Sequence, residues 1–275
     1  MVRKFRSVGQ NSSDTVVKIG RNKHFNMHGN YYKSEDFIQA TSRLNHLKDI
    51  RGIGLITASP GMGKSFALKA FSENLNPNLY KPVYICLSTV TVGEFYRQLC
   101  DMLGIVDALG KNGRFNAIKD LIQNMYMEKK QTLILIVDEA QYLNTSILND
   151  LKMIMNFSYD TVNCFALILC GENYLKGTLN KPIHAALKQR ITVHYEYKGL
   201  SDKEVSEYIL HKISIAGGTG SIITPDGLQA ITGCSYGNTR VIDNIMSDAL
   251  LIGEQMGKRV IDSDVILAAN DNRII

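Results

Sequence analysis

Tryptophan is absent from the 275 residues, and no apolar run comes near the roughly 18 residues that a bilayer-spanning helix needs. The longest apolar stretches, Leu133–Val137 and Phe165–Cys170, are strand-sized. The N-terminus is basic but carries no apolar segment behind its charges, so a secretory signal is not expected. The default is a cytoplasmic protein with no membrane partner. Cysteines number five, an odd count with no C-x-x-C spacing, which argues against a disulfide framework or a zinc site. Cys86, Cys164 and Cys170 fall in or at the ends of predicted strands and read as reduced core thiols. Neither a metallohydrolase nor a serine-hydrolase site is expected. There is no internal repeat and no low-complexity run.

What is present is an ordinary globular composition, 45% hydrophobic and 21% charged, long enough for one large domain or one domain plus a smaller one. The net charge of +5 is unevenly spread. Residues 1–24 hold Arg3, Lys4, Arg6, Lys18, Arg21 and Lys23 against Asp14 alone, and the rest of the chain balances. A solvated tail would account for this excess. So would an arm for an anionic polymer, with Arg3, Lys4 and Arg6 as its first contacts.

The most informative stretch begins at Ile53. Ile53 to Thr57 forms a short apolar strand broken only by Gly54. Ser59-Pro60-Gly61-Met62-Gly63 then turns into Lys64-Ser65-Phe66, and Phe66, Ala67, Ala70 and Phe71 follow at helical spacing. Strand, glycine loop, Lys-Ser and helix suit a triphosphate. Gly61 and Gly63 let backbone N–H groups turn inward around phosphate oxygens, and the helix N-terminus adds partial positive charge. Lys64 can reach the β- and γ-phosphates, and Ser65 can hold Mg²⁺. Pro60 through Phe66 are therefore the expected nucleotide-binding residues. The pattern G-x-x-x-x-G-K-[ST] asks for Gly at 58, where this chain has Ala58.

A second signature lies 74 residues on from Lys64. Leu133–Val137 delivers two adjacent carboxylates, Asp138 and Glu139, to the end of a buried strand. Open α/β sheets bind ligands at that edge. Asp138 is placed to hold Mg²⁺, directly or through water, and Glu139 to orient or deprotonate an attacking water.

Around these signatures the periodicity predicts alternating strands and helices. A weakly ordered arm covers residues 1–24, with a short strand at Thr15–Ile19. A helix starts near Ser34 with Phe37, Ile38, Thr41, Leu44 and Leu47 as its apolar stripe. Further strands are expected at Pro82–Leu87, Thr132–Val137, Cys164–Cys170 and Ile191–Tyr197. Further helices are expected at Val92–Leu103, along the stripe Phe115, Ile118, Leu121, Ile122 and Met125, and at Asn144–Phe157. In the first of these, Phe95, Leu99 and Met102 should lie on one side. Gly104 to Gly113 reads as a polar connection. Beyond Gly199 the pattern is helical only. Ser201 to Glu204 is a capping box, Thr224-Pro225 a helix start, Thr239–Gln255 a long helix, and Ile261-Asp262-Ser263-Asp264 the opening of a last one. The expected fold class is α/β, a P-loop core with a mostly parallel five-stranded sheet in residues 25–199, followed by a small all-α lid in residues 200–275.

The box Asp138-Glu139-Ala140-Gln141 resembles that of AAA+ ATPases of the ExeA/MuB/TnsC/TniB group, which includes DNA-transposition regulators and a secretion-associated relative. The similarity runs from about Tyr31 to Asn270. Tyr32 and Ser34 resemble the group's segment ahead of the P-loop strand. Leu169-Cys170-Gly171-Glu172-Asn173 resembles the segment that carries its first sensor, with Glu172 where Gln or Thr is usual. Gln189-Arg190-Ile191 resembles its Q-R-I, near which an arginine finger is expected. Ser235-Tyr236-Gly237-Asn238-Thr239-Arg240 resembles its second-sensor segment, with Thr239 in place of Pro. The resemblance thus implies catalytic roles for Arg190, acting in a neighbour's site, and Arg240, closing from the lid, and nucleotide contact by Glu172. A surface arginine and a salt bridge within the lid are the plain alternatives for the two arginines. It also implies that Ser88–Thr91 and Lys111–Arg114 face the channel of an oligomer. There Lys111 and Arg114 suit DNA phosphates, although a solvated turn accounts for them equally.

These features lead to the expectation of a Mg-dependent ATPase with ATP as its nucleotide. It would assemble as a homo-oligomeric ring or filament on duplex DNA, select target DNA and activate a partner transposase or similar recombinase. The alternative is an ATPase subunit of an ExeA-like secretion or envelope-assembly system.

Overall fold

The computed structural model describes residues 31–86, 91–106, 110–158 and 161–272. The expected strand at Thr15–Ile19, and with it the whole arm, lies outside the described residues. The chain divides into two compact units, Asp36–Lys198 and a second that joins Gly199–Ile275 to the described residues up to Glu35.

In the first unit, helix α1 (Glu35–Ile50) leads into strand β1 (Ile53–Thr57), and α2 (Lys64–Glu73) into β2 (Tyr80–Cys86). Then come α3 (Val92–Leu103), α4 (Gly110–Met127), β3 (Thr132–Asp138), α5 (Thr145–Ile154), β4 (Phe165–Gly171), α6 (Tyr174–Leu179), α7 (Ala185–Gln189) and β5 (Ile191–Glu196). The five strands form one sheet in the order β2-β3-β4-β1-β5, and every pairing is parallel. β1, β3 and β4 are buried at every residue. Their unbroken apolar runs are what a parallel sheet covered on both faces requires. The two-residue period of a strand then sorts the side chains. Leu133, Leu135 and Val137 join Leu167 and Leu169 in a core with α3, α4 and α5. Ile134 and Ile136 join Ala166, Ile168 and Cys170 in a core with α1 and α2.

Three expectations are corrected within this unit. The buried face of α1 is Asp36, Ala40, Leu44 and Leu47, and Ile38 is exposed. Asp36 goes inside because its carboxylate is satisfied there. It accepts the Tyr195 hydroxyl at 2.6 Å and the Lys198 main-chain N–H at 2.9 Å. Met102 is likewise exposed, and Tyr96, Cys100 and Leu103 complete the inner face of α3. Finally, the connection after Gly104 is shorter than expected, because α4 already begins at Gly110. Lys111 to Arg114 are therefore helical, not a loop. Their partners explain the extra turn: Lys111 Nζ lies 2.7 Å from Asp150 Oδ2, and Arg114 Nη1 donates to the Gly93 carbonyl at 3.2 Å.

The second unit holds α8 (Asp202–Ile215), α9 (Pro225–Ser235), α10 (Thr239–Gln255) and α11 (Ser263–Asp271). Each start is chemically marked. Ser201 and Glu204 form a reciprocal capping box, and Thr224 caps α9 with Pro225 in its first turn. Asn238 accepts from the Arg240 and Val241 amides, and Asp262 accepts from Val265. Leu200, Val205, Ile209, Ile231, Ile242, Ile245 and Val265 make the core. The segment before α1 belongs here. Tyr32 donates to Glu207 at 2.9 Å, and the Glu35 N–H to Glu204 Oε1 at 2.7 Å.

Candidate active site

The loop between β1 and α2 has the backbone that its glycines foretell. Gly61 and Gly63 sit at φ 81° and 94°, and Gly63 is the left-handed residue just before α2. A Cβ on Gly63 would meet no atom within 4 Å, so the need for glycine there is conformational rather than one of space. Ala58 is fully buried and is not among the residues of positive φ, which is why the loop tolerates a side chain at that position. Lys64 is only 6% exposed. Its ammonium donates to the Ala58 and Ser59 carbonyls at 3.1 and 3.4 Å, inside the loop. Met62 lies against the core under α2, and the half-exposed Phe66 ring stands 6.2 Å from that of Phe37. Pro60 is exposed at the loop tip.

Asp138 ends β3 beside this loop and is 1% exposed. Two hydroxyls converge on its Oδ2: Ser65 Oγ at 2.8 Å and the Tyr84 hydroxyl at 2.6 Å. Its Oδ1 accepts the Glu139 N–H at 2.9 Å. Burial, and then the bond to and charge of Asp138, push the Tyr84 hydroxyl far up, so it remains a donor. The same two causes raise the Cys170 thiol. Glu139 takes a left-handed backbone, φ 54°, and its side chain is gripped by the Gln141 amide. Gln141 in turn accepts the main-chain N–H of Glu172 at 3.0 Å, just past the end of β4.

The fold therefore gathers Lys64, Ser65, Asp138, Glu139 and, through Gln141, Glu172 at one edge of the sheet. Tyr84 and Gln141 were not assigned from sequence. Tyr84 carries no motif, and only the β2–β3 pairing, with Tyr84 opposite Ile136, brings it to Asp138. Gln141 lies within the quoted box, where its chemistry was the available signal. Arg190 follows α7, and its Nη1 donates to the Lys152 carbonyl at 3.2 Å, in the last turn of α5. Arg240 is exposed on the first turn of α10, in the other unit. Arg3, Lys4 and Arg6, and most of Ser88–Thr91, lie outside the described residues.

Two literal patterns, G-x-S-x-G and H-x-x-x-H, do occur although neither a serine-hydrolase nor a metallohydrolase site is expected. Gly233-Cys234-Ser235-Tyr236-Gly237 spells G-x-S-x-G. It is not a nucleophile elbow, because Ser235 is the last residue of a helix rather than the turn after a strand, and it is 2% exposed. His24 and His28 are spaced four apart, without a glutamate after His24, and lie outside the described residues.

Oxygen donors from Ser65 and Asp138 next to a glycine loop and one buried lysine suit a hard cation bound with a phosphate. Known proteins resemble this chain in sequence and in fold. Residues 48–179 match the family model described as an AAA domain. The chain is 30% identical over 243 residues to General secretion pathway protein A of Aeromonas hydrophila, covering 86% of this chain and 44% of that protein. It thus spans less than half the length of that curated relative. Among solved structures, Cdc6p from Pyrobaculum aerophilum superposes with a TM-score of 0.69 at 16% identity, over 92% of this chain and 70% of that one. Drosophila ORC bound to DNA superposes with a TM-score of 0.70 at 13% identity, over 100% and 70%. Residues 48–179 thus resemble an AAA domain, and the chain has the α/β fold of these solved structures.

Proposed function

We propose that this chain is a Mg-ATP-driven switch that assembles on duplex DNA as a homo-oligomer and regulates a partner recombinase such as a transposase. The observation that carries the nucleotide part is the 2.8 Å bond from Ser65 to Asp138, with Lys64 held inside the adjoining loop. Ser65 and Asp138 would hold Mg²⁺, which supplies charge neutralisation at the phosphates. Amides of the loop from Pro60 to Phe66, together with Lys64, would cradle the phosphates. Glu139 accepts a proton from, or orients, the attacking water. Arg190 from a neighbouring copy and Arg240 from the lid would meet developing phosphate charge, so that ATP orders the assembly and hydrolysis releases it. For Arg190 this means giving up its bond to Lys152.

The DNA part is supported by charge: residues 1–24 carry the entire excess of +5. Lys111 is the weaker support, since Asp150 already neutralises it. The Drosophila ORC structure is bound to DNA, and its likeness to this chain is one of fold. No described helix is long and apolar enough to cross a membrane, and we place the switch in the cytoplasm. The test is fluorescence anisotropy with a labelled duplex, with and without a non-hydrolysable ATP analogue. Nucleotide-dependent binding is expected, with electron microscopy showing rings or filaments.

A second reading is favoured by the 30% identity to General secretion pathway protein A. In that reading the same switch drives a secretion or envelope-assembly system. Failure of the full chain to bind DNA with any nucleotide would select it.

A further inference from the structure

One side-chain amide joins the turn after β3 to the end of β4. Gln141 is 9% exposed. Its Nε2 faces Glu139 Oε2, and its Oε1 faces the Glu172 N–H at 3.0 Å. The two partners dictate this orientation, because a carboxylate can only accept and a main-chain N–H can only donate. Space for the bridge comes from Gly171. A Cβ there would stand 2.4 Å from Gln141 Oε1 and 3.0 Å from Leu175 Cδ2. The residue being held sits in a strained backbone conformation. Glu139 is a non-glycine residue at φ 54°, with its own N–H committed to Asp138.

We propose that Gln141 is a positioning residue that fixes the Glu139 carboxylate and ties its orientation to the end of β4. It holds Oε2 and leaves Oε1 for water. Through the Glu172 amide, a displacement of the segment after β4 is passed to Glu139. Glutamine meets this requirement because it offers a donor NH2 group and an acceptor oxygen on one rigid plane. Glutamate at 141 would set a like charge against Glu139, and methionine would keep the length while losing both bonds. The proposal rests on the ATPase reading above, but its geometry can be tested without turnover.

Gln141→Met and Gly171→Ala, singly and combined, provide the test. Gln141→Met should lower kcat roughly tenfold to hundredfold, the scale of a small misplacement at a reacting centre. KM and the Mg-ATP thermal shift should stay within about twofold, the split expected when only transition-state positioning is lost. Gly171→Ala should reproduce the defect by pushing the amide aside, and the double variant should be no worse than the poorer single one. An unchanged kcat in Gln141→Met, or losses that multiply in the double variant, overturns the proposal. Amide hydrogen exchange at Glu172 reads the bridge directly. Faster exchange is expected in Gln141→Met but not in Glu139→Gln, and equal protection in all three proteins overturns it. A wild-type protein that neither binds nor hydrolyses ATP would sink the ATPase reading instead, and the exchange result would still decide the bridge.

Discussion

Ser65 Oγ donates to Asp138 Oδ2 across 2.8 Å, although the two residues are 73 positions apart in the chain. The bond links the first turn of α2 to the end of β3, two elements that touch because β1 and β3 both flank β4. On the proposed reading it marks where a cation bound with a phosphate would sit. The lysine one residue earlier is already enclosed by the loop carbonyls.

Nucleotide binding should depend on Lys64 and not on Glu139. ATP at about 100 times its Kd should stabilise the fold by about 2.7 kcal/mol. The wild type and Glu139→Gln should therefore show the same Mg-ATP thermal shift, and Lys64→Ala none. Glu139→Gln should lack turnover. Equal shifts in all three proteins would refute the phosphate-loop assignment.

Arg190 has a structural share and a proposed functional one, and these separate. Its bond to Lys152 sits at the C-terminal end of α5, where a cation contributes about 0.3–1 kcal/mol. Arg190→Ala should lose about that much in a denaturant titration while still binding nucleotide. Most of its ATPase activity should be gone, and mixing it with Lys64→Ala protein should restore part of it. No recovery at any ratio, once mixed assembly is established, counts against action in a neighbour's site.

Removing residues 1–23, so that the chain begins at His24, should weaken DNA binding and leave ATP binding intact. Each phosphate contact contributes about 0.9 to the slope of log K against log salt. Six basic residues could add up to roughly 5, and a loosely engaged arm about 2. The loss should be similar for unrelated duplexes, because phosphate contacts carry no sequence information. An unchanged slope would mean a solvated tail.

In the second unit, Asp226 links the start of α9 to that of α11, accepting the Ser263 N–H at 3.3 Å. Hydrogen bonds from Thr224 and Ser263 lower its carboxyl from 3.8 to about 2. A depressed carboxyl contributes stability that is fully present above its unfolded value and lost as pH falls through the folded one. Asp226→Asn should therefore be less stable than wild type above about pH 4, and the gap should close toward pH 2. A gap that stays constant between those limits would show that the carboxylate charge plays no part.

How much of this was legible beforehand depends on the range of the interaction involved. β1, α3 and α10 have the residue limits that the sequence predicts. Their determinants are local: an apolar run, a Thr91–Glu94 box and the Asn238 cap. The glycine loop, Lys64, Ser65, Asp138 and Glu139 were legible for the same reason, since each requirement is met within a few residues. The sheet order, by contrast, inserts β4 between β1 and β3. No local signal encodes that order, and it is what brings Asp138 to Ser65. Tyr84 reaches Asp138 only through parallel pairing of β2 with β3, and Gln141 reaches Glu172 only because β4 ends where β3 does. Asp36 is absent from the apolar stripe along its helix, and it is buried because Tyr195 and Lys198 satisfy it. Lys111 looked like a free cation until Asp150 paired with it. A residue's chemistry and its local backbone can be read along the chain. Whether its charge is spent or available depends on partners that only the packed sheet and helices deliver.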